Sequence, residues 1–293
     1  MIWQERLELS TAYDFDYILL RLKMDQLNYA DVEQRKIVVP LRLAKEKVVA
    51  TVTSIGTTEA PVILIKGEDR EYQSSVMERI EEIFGWKQDL IGIRSFFLQT
   101  NLADLFTEYP ATPLVREFDS FGNLMKTIIH QQLNMAFAQT LTLRFVQSFG
   151  EKVKGVWFFP TPERVAEITY EELQAMQFSR RKAEYVIDTA KKIVSGEIDL
   201  AALAHVSDEE VLKTLTKVRG VGPWTVQNWL MFSQGRPDLF PLADIGIQNA
   251  LKLHFNMDKK PSLTQMEEWM QAWSPYRSYA AMTLWRSIEE PTF

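Results

Sequence analysis

Residues 218–244 read VRGVGPWTVQNWLMFSQGRPDLFPLAD, and this stretch decides how the chain is understood. Ahead of it, Val211, Leu212, Leu215 and Val218 recur on one face of a helix. Ser207 with Glu210 has the capping-box spacing that marks that helix's start. Gly220 and Gly222 permit a tight reversal, because glycine tolerates positive φ and close backbone approach. Pro223 suits the first position of a second helix, where no amide hydrogen is needed. Trp224, Val226, Trp229 and Leu230 then continue an apolar helical pattern. The amides of Val221 and its neighbours are expected to point outward at that helix's start, where the macrodipole favours an anion such as a nucleic-acid phosphate. Taken alone, Gly-Val-Gly describes an ordinary helical hairpin equally well. Asp244 follows 20 residues after Trp224 and sets a carboxylate near the turn.

The chain has 293 residues, enough for a large core, and the pattern changes along it predict two domains. Its 46% hydrophobic and 25% charged content is ordinary for a globular protein. No apolar run reaches membrane-spanning length, and the start, MIWQERLELS, has no basic segment followed by an apolar one. A cytoplasmic protein that avoids membranes is the expectation. With no cysteine, disulfides, zinc–thiolate sites and cysteine-ligated iron–sulfur clusters are excluded. The three histidines, at 130, 205 and 254, are too scattered for a histidine-rich metal site.

A net charge of −6 argues against nucleic-acid binding by bulk electrostatics. Residues 1–99 carry 13 basic and 16 acidic side chains, and the remainder 20 and 23, so neither part is a basic module. A local patch would be needed. Arg180, Arg181, Lys182, Lys191 and Lys192, set against Glu184 and Asp188, are a candidate, although such runs more often mark a solvated helix face.

KIVVPLRL, KVVATVTSI and PVILIKG, all before residue 70, are β-branched and apolar and predict strands. Residues 13–24 and 74–84 predict helices packed on one face of that sheet. Past residue 100 the strand signal fades. Helices are expected over 119–149 (two, ending at Gly150), from Thr161-Pro162-Glu163, after the Thr169–Glu172 capping box, over 182–195, around the hairpin, and over 265–273 and 277–289. The predicted division is a small α+β domain over 1–100 and a helical domain over 101–293, mainly α overall.

With these motifs in hand, the chain resembles the bacterial 3-methyladenine-DNA glycosylase II family, the alkylation-repair branch of the helix-hairpin-helix (Gly-Pro-Asp) DNA glycosylase superfamily. The resemblance covers most of the chain. It is strongest in IIHQQLNMAFA (128–138), VRGVGPWTVQNW (218–229) and FPLAD (240–244), with WSPYRSYAAMTLW (273–285) like the family's closing helix. It implies a helix-hairpin-helix glycosylase fold behind a small antiparallel-sheet domain. It also implies hydrolysis of damaged purines from double-stranded DNA by a monomer without a cofactor, leaving room only for a hairpin-bound monovalent cation.

The resemblance assigns roles by position. Asp244 matches the catalytic aspartate, although an Asp before IGIQNALKL also reads as a helix N-cap. A fixed carboxylate suits base excision, because breaking an N-glycosidic bond builds positive charge on the sugar. Trp224 stands where bifunctional members carry a Schiff-base lysine, which implies a monofunctional enzyme using water. Trp224 and Trp273 match pocket tryptophans that would stack on a cationic purine, and Trp273 reads equally as a core residue. Asn228 and Ile245 stand where the family favours pocket tyrosines. Gly220, Val221, Gly222 and Thr225 match the phosphate hairpin. Gln132 or Leu133 matches the wedge that fills the gap left by an extruded base, with core packing the other reading of Leu133.

Three other readings remain. A non-catalytic helix-hairpin-helix module would need the glycines but not Asp244. A glycosylase/lyase for another damaged base is opposed by Trp224. A helical protein–protein adaptor leaves FPLAD unexplained.

Overall fold

The structure, a computed structural model, describes residues 2–43 and 46–289. Its first part is built on an antiparallel sheet of five strands: β1 (Trp3–Glu8), β2 (Tyr29–Asp31), β3 (Lys36–Leu43), β4 (Glu46–Ser54) and β5 (Val62–Gly67), in the order β1-β5-β4-β3-β2. Alternation along β3 and β4 puts Ile37, Val39, Leu41, Ala50 and Val52 on a fully buried face. Helix α1 (Phe15–Lys23) precedes β2, and α2 (Gln73–Phe84) lays Val76, Ile80, Ile83 and Phe84 into the same core.

The three apolar runs are thus β3, β4 and β5. The sequence reading missed β1, whose residues WQERLE bury only Trp3. That is the composition of a charged edge strand, and β1 is recruited by pairing with β5 from Trp3 opposite Gly67 to Glu8 opposite Val62.

The rest is helical: α3 (Leu90–Phe97), α4 (Ala103–Glu108), α5 (Ser120–His130), α6 (Met135–Phe149), and, beyond a short hairpin of β6 (Glu151–Val153) and β7 (Val156–Phe158), α7 (Pro162–Ala166), α8 (Tyr170–Ala175) and α9 (Arg180–Val194). Then come α10 (Leu200–Leu203), α11 (Asp208–Leu215), α12 (Pro223–Gln234), α13 (Ile245–His254), α14 (Leu263–Gln271) and α15 (Arg277–Arg286). Caps account for many starts. Thr169 and Glu172 form the reciprocal capping box expected, while Ser207 accepts from the Glu210 amide. The β6–β7 hairpin was not anticipated, because three-residue strands carry too little periodicity to read.

Hydrophobic packing does not divide at residue 100. One core joins the sheet and α2–α4 to α13–α15, and a second holds α5–α9 together with α11 and α12. Apolar residues on the sheet face and on the last helices exclude water jointly, whereas the middle of the chain forms its own cluster. Phe97, fully buried, stacks on Phe106 with ring centroids 4.0 Å apart at the meeting of sheet and carboxy-terminal helices. Phe97→Ala should cost about 3–5 kcal/mol. It should also lower the melting of sheet and carboxy-terminal helices together, read by denaturant unfolding followed in far- and near-ultraviolet circular dichroism.

Candidate functional site

A cavity of about 1080 Å³ lies along the seam between the two cores. Its walls come from the end of α1, from α5 and the loop into α6, from the α11–α12 hairpin, and from the starts of α12 and α13 together with α15.

The hairpin turns through Gly220 at φ +89°, where a Cβ would stand 2.2 Å from the Tyr185 ring. Gly220 is therefore required by both conformation and space. Gly222 differs. It caps α12 with φ −100°, and a Cβ there would meet nothing within 4 Å. The fold does not need glycine at 222, and the space it leaves opens onto the cavity. No side chain caps α12, so the Trp224 and Thr225 amides in its first turn lack intrahelical acceptors. The expectation for Val221 is corrected: it is buried, and its amide donates to Val218 O at 3.0 Å. The Thr225 side chain also faces inward, its hydroxyl accepting from Gln131 Nε2 at 2.7 Å.

Asp244 is the N-cap of α13. Its Oδ1 accepts from the Ile247 amide at 3.0 Å and from Trp285 Nε1 at 3.0 Å. Its Oδ2 has one long contact, 3.5 Å from Trp224 Nε1, and keeps lone pairs free toward the cavity. The cap reading and the site reading of this residue are thus compatible. Trp224 and Trp285 are both half-buried and flank the carboxylate, while Asn228 and the exposed Ile245 line the cavity beside them. Asn228 donates to Trp224 O at 2.9 Å.

Trp273, expected beside Trp224, is corrected to a core residue. It is fully buried, packs edge-on against Phe240 at 5.0 Å, and donates to Asn101 Oδ1 at 2.8 Å. The second indole at the site is Trp285, at the far end of the same WSPYRSYAAMTLW segment. Its contact with residue 244 spans 41 positions and has no local signature in the sequence.

Both wedge candidates line the cavity, in different states. Gln132 is exposed at φ +58°, whereas Leu133 is half-buried against the second core.

The sequence also hid the amino-terminal wall. Lys126 of α5 donates to Asp25 at 2.7 Å and to Glu117 at 2.9 Å. Burial opposes its charge, but these two carboxylates hold the ammonium well above the ordinary lysine range. Asp25 is held below its usual range mainly by Lys126, which outweighs its own desolvation. Arg21 pairs with Glu289, and its guanidinium lies 5.9 Å from the Trp285 ring. In all, two cationic side chains, Arg21 and Lys126, face four carboxylates, Asp25, Glu117, Asp244 and Glu289, so the lining carries net negative charge. His130 adds none: burial and then Lys126 push it down to about 4, Lys182 adding to the effect and Asp25 opposing it.

The candidate basic run at 180–192 is only partly available. Arg180 and Arg219 both pair with Glu184, Lys192 with Glu197, and Lys182 turns inward, while Arg181 and Lys191 are exposed and pair with no described carboxylate.

His130 gives a test of this environment. Unfolded, it protonates near 6.5, and folded only near 4, so between these values the unfolded chain binds the extra proton. Stability should fall as pH drops through that window. Melting temperature measured from pH 7 to 4 should show the loss, and His130→Gln should flatten it.

The sequence model of the HhH-GPD superfamily of base excision DNA repair proteins matches residues 125–275. A Bacillus subtilis protein, provisionally named a DNA-3-methyladenine glycosylase, is 47% identical over 289 residues, covering 98% of this chain and 100% of its own. Among solved structures, the 3-methyladenine DNA glycosylase of Archaeoglobus fulgidus superposes with a TM-score of 0.84 at 23% identity, covering 96% of this chain and 97% of that one. The Schizosaccharomyces pombe 3-methyladenine DNA glycosylase, solved with abasic DNA, is 28% identical with a TM-score of 0.59, covering 67% and 94%.

Proposed function

This chain belongs to the HhH-GPD superfamily of base excision DNA repair proteins, and on that premise we propose that it is a monofunctional DNA glycosylase that hydrolyses alkylated purines from double-stranded DNA. The observation that carries the reading is the Asp244 carboxylate: one oxygen anchored by two donors, the other open to a cavity between two indoles. The name of the Bacillus subtilis relative and the abasic DNA held by the Schizosaccharomyces pombe enzyme support the same substrate class.

The geometry supports the following mechanism. The unpaired amides at the start of α12 and the open space at Gly222 take a backbone phosphate, independent of sequence. Gln132 rather than Leu133 enters the base stack, because it alone of the two stands clear of the core. The extruded nucleotide then occupies the cavity, where Trp224 and Trp285 offer aromatic faces. Alkylation makes a purine cationic, and a cation is drawn both to an indole face and to a lining with surplus carboxylates. As the glycosidic bond stretches, positive charge develops on the sugar, and the fixed Oδ2 of Asp244 stabilises it. Oδ2 also accepts from the attacking water, so departure of the base is followed by addition of hydroxyl to the sugar carbon.

Lys126, the lysine lining the cavity, bears on monofunctionality. Its ammonium is kept protonated by Asp25 and Glu117 and so offers no free amine to form a Schiff base.

Asp244→Asn should lower base release from methylated duplex DNA by at least about 100-fold. Its affinity for an abasic-site analogue should stay within a few-fold, since phosphate contacts dominate binding. In the same assay the wild-type product should be an intact abasic strand, with no covalent adduct trapped by borohydride. Turnover near wild type in the variant, or a trapped adduct in the wild type, would overturn the respective assignment.

Gly222→Val should lower the melting temperature by no more than a small N-cap preference, because a Cβ there meets nothing within 4 Å. It should weaken binding to damaged and undamaged duplexes alike, roughly by the worth of one phosphate contact, about 10-fold. Filter binding beside a melting curve separates the two effects.

A further inference from the structure

We propose that Lys182 and Gln131 are positioning residues that clamp the 131–134 loop between α9 and the hairpin, so that the phosphate grip and the stack-entering Gln132 act as one rigid piece. This rests on the glycosylase reading above and adds to it a device for base extrusion.

The clamp is made of five hydrogen bonds. From the first turn of α9, Lys182 Nζ donates to Ile128 O at 3.0 Å, Ile129 O at 2.7 Å and Gln131 O at 2.9 Å. All three ammonium protons are spent on the carboxy-terminal end of α5, where carbonyls lack intrahelical partners and the macrodipole is negative. No carboxylate relieves the burial of this ammonium, which is pushed down to about 8. A surface lysine would satisfy its charge in water at less cost, so its placement here fixes backbone and not merely charge. The side chain of the same Gln131 reaches the other way: its Nε2 donates to Gly220 O at 2.8 Å and Thr225 Oγ1 at 2.7 Å, spending both amide protons on either side of the phosphate turn.

Gln132 sits immediately beyond this double anchor, exposed and in the left-handed region at φ +58°. On its other side Leu133 is packed against the second core, and Asn134 caps α6 by accepting from the Phe137 amide at 2.9 Å. Every neighbour of Gln132 is thus tied down while Gln132 itself is not.

The physical need is clear. Unstacking a base step costs a few kcal/mol, and a wedge on a loose loop would give way before the helix did. Anchoring the loop during folding removes that ordering cost from the encounter with DNA. Because Gln131 grips Gly220 directly, the phosphate hairpin supplies the reaction force as Gln132 presses in.

The test exploits the fact that extrusion is hardest for a well-paired base. An oligonucleotide with a single guanine is methylated at N7. It is annealed either to a strand with cytosine opposite or to one with a tetrahydrofuran spacer opposite. Release of 7-methylguanine is followed under single-turnover conditions with the full chain and with Lys182→Met, Lys182→Arg and Gln131→Ala. In the cytosine duplex Lys182→Met and Gln131→Ala should be slowed about 10- to 100-fold, the usual cost of misplacing a positioning group. In the spacer duplex the loss should stay below about 3-fold, since little stacking and no pairing is broken. Lys182→Arg, which keeps a multidentate cation, should recover most of the cytosine-duplex rate.

A second readout needs no excision. The fluorescence rise of 2-aminopurine opposite thymine on saturating binding should be smaller for Lys182→Met and Gln131→Ala than for wild type. Equal losses on both duplexes, no loss on either, or an arginine variant no better than methionine would overturn the proposal. If Lys182→Met does not fold, Gln131→Ala and Lys182→Arg decide it. A wild-type chain that releases no base from either duplex would sink the glycosylase reading instead, and the 2-aminopurine signal would still decide the clamp.

Discussion

The site depends on a helix cap. Asp244 must satisfy the first turn of α13 through the Ile247 amide, and that obligation holds one carboxylate oxygen in place regardless of any ligand. Trp285 adds a second donor to the same oxygen, fixing the carboxylate's rotation and leaving the other oxygen toward the cavity. The cavity walls are arranged about an anion whose position is settled by folding. Preorganisation of this kind spares reorganisation when charge develops on a bound molecule. It also joins the stability of α13 to the chemistry beside it, so the two cannot be tuned separately at this residue.

A chain with a net charge of −6 is an unpromising ligand for a polyanion. The structure adds backbone dipoles to what side-chain charge it has. Three of the five basic side chains on α9 are held by internal partners, Glu184, Glu197 and the α5 carbonyls. Beside the remaining surface cations stands the uncapped start of α12, an anion site made from peptide dipoles. The surplus of carboxylates in the cavity gives its lining a negative potential that favours a cationic occupant over a neutral one.

The features legible in the sequence were the local ones. Gly220, Pro223 and the apolar face of α12 announce the hairpin within a dozen residues, and β3, β4 and β5 announce the sheet by alternation. Asp244 was legible as the N-cap of α13 because a cap is a short-range property, while its place at the site came from the family resemblance. What depended on distant contacts was not legible. Trp273 and Trp285 are tryptophans of the same segment, and only packing against Phe240 and Asn101 sends the first inward. The Lys126–Asp25 pair spans 101 positions and could not be read from either residue's neighbours. Val221 reads as a hairpin residue, but its small apolar side chain is drawn into the second core and takes its amide with it.

One wall of the cavity is closed by contacts between opposite parts of the chain. Arg21 and Tyr17 meet Glu289, Asp14 meets Arg286, and Trp285 of α15 completes the setting of Asp244. On the ribosome α15 emerges after every other described helix and strand. The hairpin and its loop can therefore be made while the Asp244 carboxylate still lacks its indole donor and its outer wall. The order of synthesis is thus also an order of assembly: the hairpin and its loop exist before the wall that closes the cavity beside Asp244.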